Sequence, residues 1–222
     1  MSSRRPIIGM TPDLERGRMR LSESYGQAVA AAGGIPMVLC PIFELAEVQV
    51  ASCDGIILTG GDDPIMEQWG LPTHPSAKRV DPVRQKFDLA VYAAARNAGM
   101  PVLGICLGMQ FMGLEAGCGL HQHLPDSLPT AEMHAAGAVH EISGSLGQGV
   151  VHSRHHQALR TAGSFEVTAR APDEVIEAIA DPQAAFVQGV QWHPERSGPG
   201  PLGAGLFEQL ISVASEKHHA TT

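Results

Sequence analysis

Met100-Pro101-Val102-Leu103-Gly104-Ile105-Cys106-Leu107-Gly108-Met109 is the stretch on which the architecture of this 222-residue chain turns. An apolar run of strand length leads into a thiol flanked two residues away on either side by glycine. Gln110 to Glu115 then continues with helix-forming residues. Strand, tight turn and helix in that order make a nucleophile elbow, in which the glycines remove side chains that would collide and the central residue takes a strained conformation at the carboxyl edge of a sheet. A thiolate at a helix amino terminus meets unpaired N–H groups and the positive dipole end. Such sites lower a cysteine pKa from about 8.5 toward roughly 3.5–7.5. A buried cysteine closing a core strand carries the same local pattern, because free cysteine is often a core residue. Cys106 is therefore a candidate nucleophile that needs companions.

Outward from the elbow, short apolar runs alternate with helical periodicity, the pattern of an α/β domain with a largely parallel sheet. Strands are predicted at Ile7 to Met10, Met37 to Cys40, Gly55 to Thr59, Val102 to Ile105 and Phe186 to Gln191. Helices are predicted at Ser22 to Ala32, stopped by Gly33-Gly34, at Pro82 to Ala98, capped by Asp81 and ended by Gly99, and from about Pro201 to Lys217. Between Val139 and Ala180 polar and apolar residues alternate in shorter segments, which predicts an antiparallel extension. No repeat or linker divides residues 1–222, so a single domain is expected.

Two other strand ends offer the companions. Ala185 to Trp192 runs into His193-Pro194-Glu195. The proline biases His193 toward extended geometry, so that His193 and Glu195 can project to one side, the carboxylate holding one ring nitrogen and the other facing a thiol. The strand Gly55 to Thr59 ends in Gly60-Gly61, whose amides, with that of Leu107, can stabilise negative charge on an attacked carbonyl oxygen. Read alone, each is an ordinary strand terminator or loop.

In combination these segments resemble the class I glutamine amidotransferase superfamily, and within it the free-standing γ-glutamyl hydrolases. The resemblance is carried by Pro6 to Thr11, Ser24-Tyr25 through Pro36, Leu58 to Asp62, Gly104 to Gln110, Ser153-Arg154-His155-His156-Gln157 and Gly189 to Glu195, in family order over nearly the whole chain. It implies a flavodoxin-like three-layer sandwich with a mostly parallel central sheet and an antiparallel extension. It also implies a Cys-His-Glu triad at Cys106, His193 and Glu195, an oxyanion hole at Leu107 with Gly60 and Gly61, and γ-glutamyl contacts from Gln110, His155, His156 and Gln157. The implied reaction hydrolyses a γ-glutamyl amide through a thioester, without cofactor. Three positions depart from the hydrolase pattern: Leu107 replaces the usual arginine, Gly117-Cys118 a glycine pair, and Gln85 the acidic residue after the helix arginine. Leu107 is instead common in ammonia-supplying domains, so a glutaminase chain serving a separate synthase stays open as an alternative, as does a catalytically silent binding module.

The net charge of −8 argues against an electrostatic hold on nucleic acid or anionic membrane. The amino terminus has no apolar stretch of signal-peptide length and no run of about 18 apolar residues occurs, so a cytoplasmic location is expected. The partner expected is a small γ-glutamyl molecule, with a homodimer permitted. Cys40, Cys53, Cys106 and Cys118 form no disulfide framework and suit a reducing compartment, Cys40 and Cys53 reading as core or core-edge thiols. Residues 65–81 form a long connection bearing Lys78 and Arg79, which with Arg84 is expected to cover the substrate and select what lies beyond the scissile bond. Seven histidines lie between His121 and His156. His121-Gln122-His123 lacks a companion motif, and no metal is expected.

Overall fold

The computed structural model describes residues 4–220, with side chains through Glu216; Met1–Ser3 and Thr221–Thr222 lie outside the described residues. In chain order the first half contains β1 (Ile7–Met10), β2 (Asp13–Glu15), β3 (Arg18–Arg20), α1 (Glu23–Ala31), β4 (Ile35–Val38), α2 (Ala46–Ala51), β5 (Gly55–Leu58) and α3 (Pro82–Asn97). Then follow β6 (Val102–Ile105), α4 (Leu107–Glu115), β7 (Leu120–His121), β8 (Val139–Gly144), β9 (Gly147–His152), β10 (Ala158–Leu159), β11 (Glu166–Arg170), β12 (Ile176–Ala180), β13 (Val187–Val190) and α5 (Ala204–Ala220). The main sheet has nine strands in the order β4-β1-β5-β6-β13-β12-β11-β8-β9. Its first five strands are mutually parallel and the rest antiparallel, β13 being parallel to β6 and antiparallel to β12.

Period-two alternation within continuous apolar strands explains why both faces are covered. On one face Ile57, Leu103, Ile105 and Val190 pack with Val29 of α1 and Leu206, Phe207 and Leu210 of α5. On the other, Ile56, Leu58 and Val102 pack with Phe87 and Val91 of α3 and Met109 and Met112 of α4. Each fully buried side chain of this size contributes roughly 1.5–3 kcal/mol. Helix α3 begins as its sequence requires: Asp81 accepts the Val83 N–H at 2.8 Å and Pro82 occupies the first turn. The α/β three-layer architecture with its antiparallel extension is thus the expected one.

Differences are local. The predicted strand Met37 to Cys40 lies two residues earlier, as β4, an edge strand that leaves Cys40 exposed rather than in the core. The β2–β3 hairpin and α2 had no strong periodicity and were not anticipated. No helix among the described residues is long and apolar enough to cross a membrane.

Candidate active site

Three adjacent parallel strands, β5, β6 and β13, end at one edge of the sheet, with Leu58 opposite Gly104 and Val190 opposite Ile105. Whatever follows them is brought together: Gly60-Gly61 after β5, Cys106 after β6, His193 after β13. Open α/β sheets place ligands at this edge. The elbow itself is as tight as the sequence implies. A side chain at Gly104 would lie 2.3 Å from Met112 Sδ, and one at Gly108 only 2.2 Å from the Leu58 carbonyl oxygen. Cys106 has φ 52°, a left-handed conformation unusual for a residue with a side chain, and caps the amino terminus of α4. Its backbone is held by its N–H to the Val190 carbonyl at 2.8 Å.

His193 Nδ1 lies 2.8 Å from Glu195 Oε1, and the Glu195 side chain is wholly buried. The pairing arises from a 3₁₀ turn at Pro194–Arg196, not from the strand-like alternation expected of residues two apart. Trp192, buried beside it, donates to the Leu202 carbonyl at 2.8 Å and anchors the turn. Burial pulls the His193 pKa down, but hydrogen bonds to Cys106 and Glu195 and their charges outweigh it, raising the value to about 9. The ring sits against Gly60, where an added Cβ would come within 2.9 Å of His193 Cε1 and 3.5 Å of Cys106 Cβ. Gln191 Nε2 also reaches Cys106 Sγ, at 3.5 Å.

The glycine pair divides its labour. Gly60 gives its N–H to the Tyr25 hydroxyl at 3.1 Å, so the expectation that it serves an oxyanion is corrected: its donor is already engaged. Among the described residues the Gly61 N–H has no acceptor, and Leu107, the first residue of α4, presents its amide beside the thiol. Arg84 likewise is not a substrate contact. It is fully buried beneath the glycine pair, donating to the Thr59 carbonyl at 3.1 Å and the Gly60 carbonyl at 2.9 Å, with Asp13 and Asp88 on its other nitrogens. Burial opposes its charge, but the two carboxylates hold its pKa above the ordinary value. Arg84 shapes the loop.

Two cavities meet at Cys106. One, of about 620 Å³, runs past Tyr25, Gly60 and His193 to Asp13, Glu15 and Arg20 of the β2–β3 hairpin. The other, of about 330 Å³, lies between Gly61 and Gln110, His155, His156 and Gln157. Lys78 and Arg154 line both, whereas Arg79 lines neither and faces Glu67. Gln110 is buried and donates to Gln191 Oε1 at 3.2 Å; Gln157 donates to the Gln122 carbonyl at 2.8 Å. His156 is held to Asp63 at 2.9 Å, a hydrogen bond that raises its pKa. The connection at 65–81 is clamped at its base, with Asp63 N–H donating to the Lys78 carbonyl and Val80 N–H to the Asp63 carbonyl, both 2.8 Å. Gln85 ties it further by accepting from Ile65 N–H at 2.7 Å and donating to the Ile65 carbonyl at 3.0 Å. A carboxylate there could only accept.

Arg154 is a site residue that no strand-end motif announces. It is exposed, faces both cavities, and has no ion-pair partner among the described residues. Its place within Ser153-Arg154-His155-His156-Gln157 was the available signal. Cys53 and Cys118 are not rivals to Cys106, for burial pushes both thiols up to about 11. Against expectation, the histidine-rich stretch does gather ligand-type atoms: His134, His140 and His155 converge on Glu177.

A family model described as Peptidase C26 matches residues 6–195. The chain belongs to that family. With it comes membership of the class I glutamine amidotransferase superfamily, on the γ-glutamyl hydrolase-like branch. A Mycobacterium tuberculosis protein named as a glutamine amidotransferase is 34% identical, covering 97% of this chain and 77% of its own length. The γ-glutamyl-γ-aminobutyrate hydrolase PuuD of Escherichia coli is 29% identical over 96% of this chain and 94% of its own. Among solved structures, a Thermoplasma acidophilum protein described as part of a GMP synthase has TM-score 0.71 at 14% identity, each chain covered to 98%. The glutaminase domain of Trypanosoma brucei CTP synthase, solved with acivicin, has TM-score 0.62 at 15% identity, covering 96% of this chain and 94% of that one. These two speak for the fold. Family and relatives together support an enzyme of the hydrolase and amidotransferase type.

Proposed function

We propose that this Peptidase C26 member hydrolyses γ-glutamyl amides, with Cys106 as nucleophile, His193 as proton carrier and Glu195 as orienter. The reading rests above all on a strained, helix-capping thiol beside an imidazole whose far nitrogen is held by a buried carboxylate. Cys106 Sγ attacks the γ-carbonyl carbon while His193 holds the thiol proton on Nε2. Leu107 and Gly61 N–H groups receive the developing oxyanion, a single donor of this kind being worth about 3–4 kcal/mol. Collapse breaks the C–N bond, the proton passes to the departing amine, and a γ-glutamyl thioester is left. Water then gives a proton to His193, attacks the thioester and releases glutamate and the free thiol.

The smaller cavity suits the glutamyl part: Gln110, His156 and Gln157 flank it, and the Arg154 guanidinium can pair with the α-carboxylate. The larger cavity, on the His193 side, suits the leaving amine. Its volume of about 620 Å³ favours an amine with a body over delivery of ammonia to a synthase. A panel of γ-glutamyl amides, with glutamine included, assayed on the isolated chain should show partner-free release of glutamate. Turnover only in the presence of a synthase chain would overturn the hydrolase reading, and failure to be labelled with one equivalent of a glutamine-like electrophile would overturn the nucleophile.

A further inference from the structure

Against the small cavity, whose lining it shares through His155, lies a cluster of buried polar side chains. His134, His140, His155 and Glu177 have side chains that are 0%, 1%, 1% and 0% exposed. Glu177 Oε1 is 3.2 Å from His134 Nδ1, 3.2 Å from His140 Nε2 and 3.3 Å from His155 Nε2. Despite these short separations, none of the three nitrogens has a hydrogen-bond partner, nor does either Glu177 oxygen. Buried polar atoms are seldom left so.

The far side of each ring shows why. His134 Nε2 faces Asp173 Oδ2 at 3.0 Å, His140 Nδ1 the Met133 carbonyl at 3.1 Å, and His155 Nδ1 the Gln157 carbonyl at 2.9 Å. All three outer partners are acceptors only. A neutral imidazole has one N–H, so a neutral ring that gives it to its outer acceptor aims a lone pair inward. Three nitrogen lone pairs and a carboxylate then converge in a dry interior, four Lewis bases with no acid between them. Protonating every inward nitrogen instead would set three buried imidazolium cations against the buried carboxylate of Glu177 and the partly exposed one of Asp173, which carries a heavy desolvation penalty.

We propose that His134 Nδ1, His140 Nε2, His155 Nε2 and Glu177 Oε1 form a structural site for one divalent transition-metal ion, zinc being the best match. Ligand atoms of a tetrahedral zinc, each about 2.0–2.1 Å from the ion, lie roughly 3.3 Å from one another. The three Glu177-to-nitrogen separations already have that value. The inward atoms of His134, His155 and Glu177 all fall within 4.8 Å of one another, and His140 joins the group through the 3.2 Å approach of its Nε2 to Glu177 Oε1, so that binding one ion requires the rings to draw inward onto it. Imidazole and carboxylate donors suit zinc, and an outward N–H given to a carboxylate or carbonyl is the usual support of a metal-bound histidine. With Glu177 and Asp173 ionised, a dication makes the cluster neutral. Four protein ligands leave no open position, so the ion would hold structure rather than substrate. It would fasten the turn at Ala131–His134, β8, β12 and the segment 153–157, which carries Arg154 and His156 to the cavity wall.

The test is metal content and reconstitution. Purified full-length chain, exhaustively dialysed, should contain one equivalent of zinc or another first-row ion by mass spectrometry. In a Cys106→Ala background, which removes the nucleophile as a competing ligand, chelator-stripped chain should take up Co²⁺ with the visible absorption of a tetrahedral site. Uptake should saturate at one equivalent and be displaced by Zn²⁺. His140→Ala and Glu177→Gln should abolish that signal, while His123→Ala, in the separate group formed by His74, His123 and Asp126, should preserve it. Zn²⁺ should raise the Tm of the parent chain but not of His140→Ala. If stripping unfolds the chain, release of one equivalent with unfolding upholds the site. A folded parent that carries no ion and binds none, or a His140→Ala chain that binds as well as the parent, overturns it.

Discussion

The two halves of the sheet organise residues in opposite ways. In the parallel half, β5, β6 and β13 all point one way, so each motif at a strand's carboxyl end arrives at the same edge with no long-range adjustment. In the antiparallel half, direction alternates, and the residues that meet come from a turn (His134), a strand (His140), a loop (His155) and another strand (Glu177). The same side chain shows the contrast. His193 has Nδ1 on a carboxylate and lines the open cavity that Cys106 also lines, while His134, His140 and His155 each turn one nitrogen to Glu177 in the buried interior. Parallel topology gathers strand-end motifs at one edge; the antiparallel half carries the segment 154–157 to the wall of the small cavity.

Variants can break this division. Cys106→Ala should lower turnover by on the order of 10⁴-fold or more with the fold intact, checked by steady-state kinetics and circular dichroism. Glu195→Gln should reduce kcat by about 10²–10⁴-fold, since the imidazolium loses its orienting charge. Gly60→Ala should cost roughly 10²-fold in kcat/KM, because the new methyl lies 2.9 Å from His193 Cε1 and displaces the ring. On the antiparallel side Arg154→Ala should act on KM, raising it about tenfold or more with kcat little changed. An Arg154→Ala effect confined to kcat would erase the proposed separation of roles.

The pH dependence sharpens it further. His193 is raised from 6.5 to about 9, so its protonated form persists through neutrality and kcat/KM should decline as pH rises through about 9. Glu195→Gln should move that limb to lower pH. By linkage, the raised value contributes stability that is fully present below pH 6.5 and lost as pH rises through about 9. Denaturant midpoints at pH 6 and pH 10, compared between the parent and His193→Ala, should show the difference shrinking at the higher pH.

How much could be read in advance follows the same line. The elbow was legible because steric exclusion acts within a few residues, and the nearness of His193 to Glu195 because they stand two apart, although the 3₁₀ turn that pairs them was not. Arg84 was misread because an arginine near a site suggests a substrate contact, and only packing shows its guanidinium turned inward onto Thr59 and Gly60. Gly60 was misread for a similar reason: the Tyr25 hydroxyl that takes its N–H is 35 residues away.

The sequence by itself determined the core strands β1, β5, β6 and β13, the helices α1, α3, α4 and α5, the strained turn at Cys106 and the three motifs that follow neighbouring strands, since each depends on local sterics and on hydrophobic period. Only the tertiary structure decided which donors remain free, which cations face the cavities, and that His134, His140 and His155 surround Glu177. Those outcomes depend on strand pairing between segments tens of residues apart, where no local spacing records which atoms will be neighbours once water has been excluded.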